Sequence, residues 1–97
     1  MNCRKEYYGN TFLAEEEVPY LGEVKLEYYK IEEDNNFGIE VVKSEKRDEI
    51  ETSEKIKLDK ITSNENVINN LLNKLCKNKV TPVELTDVVN DLMYNFC

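Results

Sequence analysis

Residues 63–96 have the sequence SNENVINNLLNKLCKNKVTPVELTDVVNDLMYNF, in which the tetrapeptide Thr81-Pro82-Val83-Glu84 separates two apolar segments. Thr81 can cap a helix with its hydroxyl group, and Glu84 can accept a hydrogen bond from the Thr81 amide. Pro82 lacks an N–H group that would otherwise need a partner at the first helical position. The tetrapeptide therefore predicts the start of a second helix, directly after the end of a first.

Both segments repeat apolar residues at spacings of three and four, which is the period of an amphipathic helix. The first helix is predicted at about residues 64–78, with Ser63 as its N-cap and Asn78 as the left-handed residue that ends it. The second is predicted at about residues 82–96. Their apolar faces consist of Val67, Ile68, Leu71, Leu72, Leu75 and Cys76, and of Leu85, Val88, Val89, Leu92, Met93 and Phe96. Two helices joined this closely cover each other only in part, so the remaining apolar surface is predicted to pack on a sheet.

The first two thirds of the chain predict four strands, at about residues 4–14, 21–32, 37–45 and 49–60. The second has the clearest signal, because Val24, Leu26 and Tyr28 alternate with Lys25, Glu27 and Tyr29. Asn35-Asn36 predicts a hairpin turn, 46–49 the next turn, and the interrupted alternation of the fourth strand a bulge near Ser53-Glu54. We therefore expect a single α+β domain over residues 1–97, an antiparallel meander of about four strands followed by a C-terminal helical hairpin on one face.

The chain is acidic, with a formal net charge of −7 over 97 residues. Residues 1–62 contain ten Lys or Arg against sixteen Asp or Glu, whereas residues 63–97 contain three against four. Nucleic acids and anionic membranes are bound mainly through clustered cations, and the predicted second helix has neither Lys nor Arg. The expected partner is therefore another protein, with basic residues favoured, and neither nucleic acid nor membrane.

Nothing in the sequence predicts a cofactor or a catalytic site. Cys3, Cys76 and Cys97 have no CxxC spacing and the chain has no histidine, which disfavours a zinc site and a disulfide framework. Asp34-x-Asn36-x-Gly38 with Glu45 mimics part of a calcium loop, but the flanking strands favour a hairpin turn. Phosphate-binding and nucleophile motifs are absent, so the expectation is a non-enzymatic protein without cofactors.

The chain begins without the apolar segment of a signal peptide and has no stretch near the ~20 apolar residues that span a bilayer. These features predict a soluble cytoplasmic protein.

The tyrosines give the most informative candidate surface. In Tyr7-Tyr8 and Tyr28-Tyr29, adjacent residues of a strand point to opposite faces, so one of each pair is expected in the core and the other on the outer face. Tyr8, Tyr29 and Tyr20 are predicted to form a partner surface there, although packing by the N-terminal strand or by a second copy explains them equally well. Met93 and Phe96 are candidates for the contact of a homodimer.

The chain also resembles a known family. Tyr28-Tyr29 with Phe37-Gly38-Ile39-Glu40-Val41-Val42, followed by Lys77-Asn78-Lys79-Val80-Thr81-Pro82-Val83-Glu84-Leu85 and Asp87-Val88-Val89, is similar to a family of short, uncharacterised proteins of clostridia and related Gram-positive bacteria. The resemblance covers about residues 22–93 and implies a bacterial intracellular origin, without an activity or a site.

Two functions are compatible with these features. The first is a protein-interaction adaptor or regulator that binds through its sheet face or its helix hairpin. The alternative is a small-ligand sensor, with a pocket between sheet and helices lined by Tyr, Leu and Ile.

Overall fold

The computed structural model of the chain describes residues 3–13, 23–47 and 49–94. Within these ranges it contains four strands, β1 (Cys3–Leu13), β2 (Glu23–Glu33), β3 (Asn36–Arg47) and β4 (Ile50–Thr62), followed by two helices, α1 (Glu65–Lys77) and α2 (Pro82–Tyr94). Neighbouring strands are antiparallel, and their order in the sheet is β1-β2-β3-β4. The predicted α+β meander followed by a helical hairpin is confirmed. The predicted element ends at residues 14, 21 and 96 lie outside the described residues.

Both helices pack on one face of the sheet, where alternate residues of β2 and β3 form the core. The buried residues of this core are Leu26, Tyr28, Phe37, Ile39, Val41, Ile68, Leu71, Leu72, Leu75, Val80, Leu85 and Val89. Cys76 and Met93 lie at its margin, where they are half-buried against the buried cluster. The period of two in β2 and the period of 3.6 in the helices thus meet in one apolar layer.

The β2–β3 hairpin turns at Asp34-Asn35, one residue earlier than predicted. Asp34 and Asn35 have φ values of 51° and 64°, the left-handed pair that a two-residue type I′ turn requires. Asn36 pairs with Glu33 in the ladder, and its Nδ2 donates to the Asp34 carbonyl at 3.1 Å. Asp tolerates positive φ nearly as well as Asn, so the pattern alone left the turn ambiguous by one residue.

The predicted bulge near Ser53-Glu54 is wrong, because Ser53 and Glu54 pair regularly with Ser44 and Lys43. The irregularity lies instead where the β3–β4 register jumps from Ile39↔Leu58 to Phe37↔Thr62. A Cβ atom added to Gly38 at this point would lie 2.2 Å from the Leu58 carbonyl oxygen. Only glycine allows the two backbones to approach this closely.

Asn64, and not Ser63 as predicted, is the N-cap of α1. Its Oδ1 accepts from the amides of Asn66 and Val67 at 2.9 and 3.2 Å, so it satisfies two of the free N–H groups of the first turn. The backbone N–H of Asn64 donates to Thr62 Oγ1 at 3.1 Å, which fixes the link from β4 to the helix. Asn and Ser are nearly equal as caps, and their order in the sequence could not decide between them.

Helix α1 ends in a Schellman motif whose left-handed residue is Lys79, with φ 52°, and not the predicted Asn78. The N–H groups of Lys79 and Val80 donate to the carbonyls of Cys76 and Leu75, at 3.3 and 3.0 Å. The buried Val80 follows directly, as the apolar residue that usually accompanies this motif.

Helix α2 begins at Pro82 with one half of the predicted capping box. The Thr81 amide donates to Glu84 Oε1 at 3.2 Å, as predicted. The Thr81 hydroxyl, however, donates to the same carboxylate oxygen at 2.9 Å, and the Glu84 N–H donates to the backbone carbonyl of Thr81 at 3.1 Å. Glu84 is therefore the centre of this cap.

Candidate functional site

The face of the sheet opposite the helices, here called the open face, carries the most organised surface cluster. Strand register places Lys5 beside Ile31, Tyr7 beside Tyr29, and Phe12 beside Lys25. It also places Tyr29 beside Glu40, and Glu40 beside Lys57. The four strands thus bring cations, carboxylates and aromatic rings together on one surface.

Lys5 crosses this face from β1 to β3. Its Nζ lies 2.5 Å from Glu40 Oε1 and 4.3 Å from the centre of the Tyr29 ring. This separation makes the two groups an ion pair. Contact with the Glu40 carboxylate raises the pKa of Lys5, against a smaller opposing effect of burial. Lys5 therefore neutralises Glu40, which is only 6% exposed although it lies opposite the helices.

An aromatic pair lies beside this ion pair. The rings of Tyr7 and Tyr29 meet edge to face, with centres 5.6 Å apart at 71°. Asn10 Nδ2 donates to the Tyr7 hydroxyl oxygen, and the Tyr29 hydroxyl donates to Glu27 Oε2 at 3.3 Å. Burial and then Glu27 raise the pKa of Tyr29. Tyr7 and Phe12 each remain 49% exposed, so this face carries aromatic surface in contact with solvent.

The residues predicted for a partner surface are separated in the structure. Tyr29 lies on the open face as expected, opposite the buried Tyr28. Tyr8 is 39% exposed at the register shift in β1. It lines a cavity on the helix side of the sheet, between β1 and α1. Met93 is half-buried against the core, and Tyr20 and Phe96 lie outside the described residues.

The expectation that one of Tyr7 and Tyr8 is in the core is wrong, because both are exposed. Strand β1 is the edge of the sheet, and the core residues of the sheet come from β2 and β3. The register shift between Tyr7 and Gly9 also breaks strict alternation at this point. Tyr7 and Phe12 were not predicted as surface residues. The only sequence signal for them is that both are aromatic residues in a strand with weak apolar alternation.

A second feature is a cavity of about 410 Å³ lined by Glu6, Tyr7, Tyr8, Lys30 and Asn69. Lys30 Nζ, on the helix side of β2, donates to Glu65 Oε2 at 2.7 Å and to Asn69 Oδ1 at 3.3 Å. This contact lowers the pKa of Glu65. The Lys30 side chain is 11% exposed, so α1 holds a nearly buried ammonium group that is paired and hydrogen-bonded.

Glu6 lies directly opposite Lys30 in the β1–β2 register. Its Oε2 is 4.0 Å from the Arg4 guanidinium, which binds Glu32 more closely at 2.8 Å. The Glu6 side chain is 58% exposed. Glu6 therefore has the weakest ion pairing of the acidic groups around this cavity.

The described ranges contain neither a metal-binding group of side chains nor a membrane-spanning helix. Among residues 3–13, 23–47 and 49–94, no three His, Cys, Asp or Glu side chains are grouped so as to hold a metal ion. The sequence that mimics a calcium loop forms a tight turn at Asp34 and continues as β3 through Gly38 and Glu45. Neither described helix is long and apolar enough to cross a membrane.

A family model matches nearly the whole chain. Residues 11–95 match the model of DUF6514, a family of unknown function. The chain belongs to this family. No curated protein and no solved structure matches the chain. The DUF6514 match includes Phe12, Tyr29 and Lys30, whereas Lys5, Glu6 and Tyr7 precede it.

Proposed function

We propose that the chain is a non-enzymatic cytoplasmic protein of Gram-positive bacteria that binds another protein through its open face, as an adaptor or regulator. The observation that carries this proposal is that Tyr7, close to the Lys5–Glu40 ion pair, and Phe12, further along β1, are each 49% exposed on the open face. Aromatic side chains are enriched among the residues that dominate binding energy. Because Tyr29 and Asn10 already contact Tyr7, little side-chain freedom remains to be lost on binding.

The partner that fits this surface has basic residues among apolar ones. A net charge of −7 attracts cations at long range. At short range, an Arg or Lys side chain can stack on the exposed ring of Tyr7 or Phe12. Such a complex weakens as salt is added, because screening acts on its electrostatic part.

The experiment compares capture of a partner by the immobilised full chain and by variants of exposed residues on its two sides. Phe12→Ser and Tyr7→Ser remove rings from the open face. Val83→Ser and Tyr94→Ser are the matched controls, because these residues of α2 are 81% and 83% exposed on the helix side. Proteins retained from lysate of the source organism are identified by mass spectrometry and then titrated in purified form.

We expect the controls to retain the same partner as the wild type, and each open-face variant to weaken it by about tenfold or more, as loss of an aromatic anchor does. Equal loss in the α2 controls would assign binding to the helix hairpin instead. Failure to capture any reproducible partner would refute the proposal.

A further inference from the structure

We propose that the cavity between β1 and α1 is a binding site for a small organic cation, an alkylammonium or alkylguanidinium group. This inference concerns the helix side of the sheet edge and does not depend on the open-face proposal. The cavity has a volume of about 410 Å³, which lies in the range of small-molecule sites and exceeds the volume of one such group.

The charge of the cavity favours a cation because its one ammonium group is already neutralised. Lys30 Nζ is 2.7 Å from Glu65 Oε2, and Asn69 Oδ1 accepts a second of its hydrogen bonds. Its remaining side faces the Phe37 ring, whose centre lies 5.5 Å away. The Lys30 ammonium group therefore has little uncompensated positive charge with which to bind an anion.

Glu6 supplies the opposite charge for a bound cation. Its carboxylate lies across the register from Lys30, and Arg4, its nearest cation, is bound 2.8 Å from Glu32. The charged lining residues are Glu6 and Lys30, and the ion pairs that extend from them contain two cations, Arg4 and Lys30, and three carboxylates, Glu6, Glu32 and Glu65. The excess negative charge therefore belongs to the carboxylate that is least paired.

The aromatic residues that line the cavity suit the cationic group of such a ligand. Tyr7 and Tyr8 line the cavity beside Glu6, and aromatic side chains bind ammonium and guanidinium groups by contact with the ring. The register shift between Tyr7 and Gly9 adds Tyr8 to the strand edge without a partner residue on β2. The same irregularity that blunts this edge therefore contributes a wall of the site.

The test is calorimetric titration of the full chain with butylguanidinium and butylammonium at constant ionic strength, with butyrate as the anion of similar size. We expect saturable binding of a cation and none of butyrate. Glu6→Gln should weaken cation binding at least tenfold, since the negative charge that pairs with the cation is lost. Glu51→Gln, an exposed carboxylate of β4, is the matched control and should leave affinity unchanged.

A capped tripeptide, acetyl-Gly-Arg-Gly-amide, distinguishes the two sources of this group. Tighter binding than butylguanidinium indicates the side chain of a basic protein, whereas weaker binding indicates a free amine or guanidine. Tyr8→Leu provides a second variant, which should also weaken the cation without altering thermal unfolding.

The proposal is overturned if neither cation saturates the site, if butyrate binds instead, or if Glu6→Gln and Glu51→Gln behave alike. Phe12 does not line the cavity, so a failure here is distinct from a failure of the open-face proposal.

Discussion

The two faces of the sheet organise their side chains by different physical means. The side chains under the helices are fully buried and form one apolar layer with α1 and α2; those of the sheet are Leu26, Tyr28, Ile39 and Val41. On the open face, ion pairs and ring contacts order side chains that include the 6% exposed Glu40 and the half-exposed Tyr7. The covered face can therefore supply most of the stability, whereas the open face can hold a defined shape at little cost to it.

Truncating one residue on each face tests this comparison with the largest expected effect. Ile39→Ala removes a fully buried side chain and should lower the free energy of unfolding by about 2–5 kcal/mol. Phe12→Ala removes a larger side chain that is 49% exposed, and should change it by about 0.5–1 kcal/mol. Urea denaturation of both variants gives the ratio. Similar losses would mean that the open face contributes to the core.

Adjacent tyrosines provide a finer test, because each variant loses one hydroxyl group. Tyr28 donates to the carbonyl of Val80 at 2.8 Å within the core, and burial strongly raises its pKa so that it remains a donor. Tyr28→Phe should cost about 1–3 kcal/mol by leaving that carbonyl without its partner. Tyr29→Phe loses only a solvent-accessible bond to Glu27 and should be nearly neutral. Thermal unfolding that ranks the two variants in the reverse order would contradict this assignment.

Acid should produce the smallest effect, through the pair that joins α1 to β2. Lys30 lowers the pKa of Glu65 from its usual 4.5, so the pair stabilises the fold above that pH and ceases to do so as pH falls through the lowered value. The difference in unfolding free energy between wild type and Glu65→Gln should be present at pH 7 and should disappear as pH is lowered through the pKa of Glu65 in the folded chain. In a Lys30→Met background the Glu65→Gln change should have no such pH dependence, and a persistent one would assign it elsewhere.

The fold followed from the sequence where one physical period dominated. Val24, Leu26 and Tyr28 alternate without interruption, and Pro82 with Glu84 fixes the start of α2. Errors arose where neighbouring residues have nearly equal propensities, as with Ser63 and Asn64 at the cap or Asp34 and Asn36 at the turn. The close approach at Gly38 depends on pairing between strands and has no local signal.

The candidate sites were less predictable because they depend on register across three or more elements. The placement of Tyr29 on the open face followed from the burial of Tyr28 beside it. Contact of Lys5 with Glu40, however, links residues of β1 and β3 across the intervening strand. The cavity beside Glu6 likewise requires the placement of α1 against an edge strand, which periodicity does not specify.

The two edge strands have a consequence for how copies of the chain meet. β1 is interrupted by its register shift, and β4 carries Lys55, Lys57, Asp59 and Lys60 along its outer half. Irregular or charged edges resist the strand-by-strand addition that leads to fibrils and open-ended arrays. Addition of strands from one copy to the next along these two edges is therefore disfavoured.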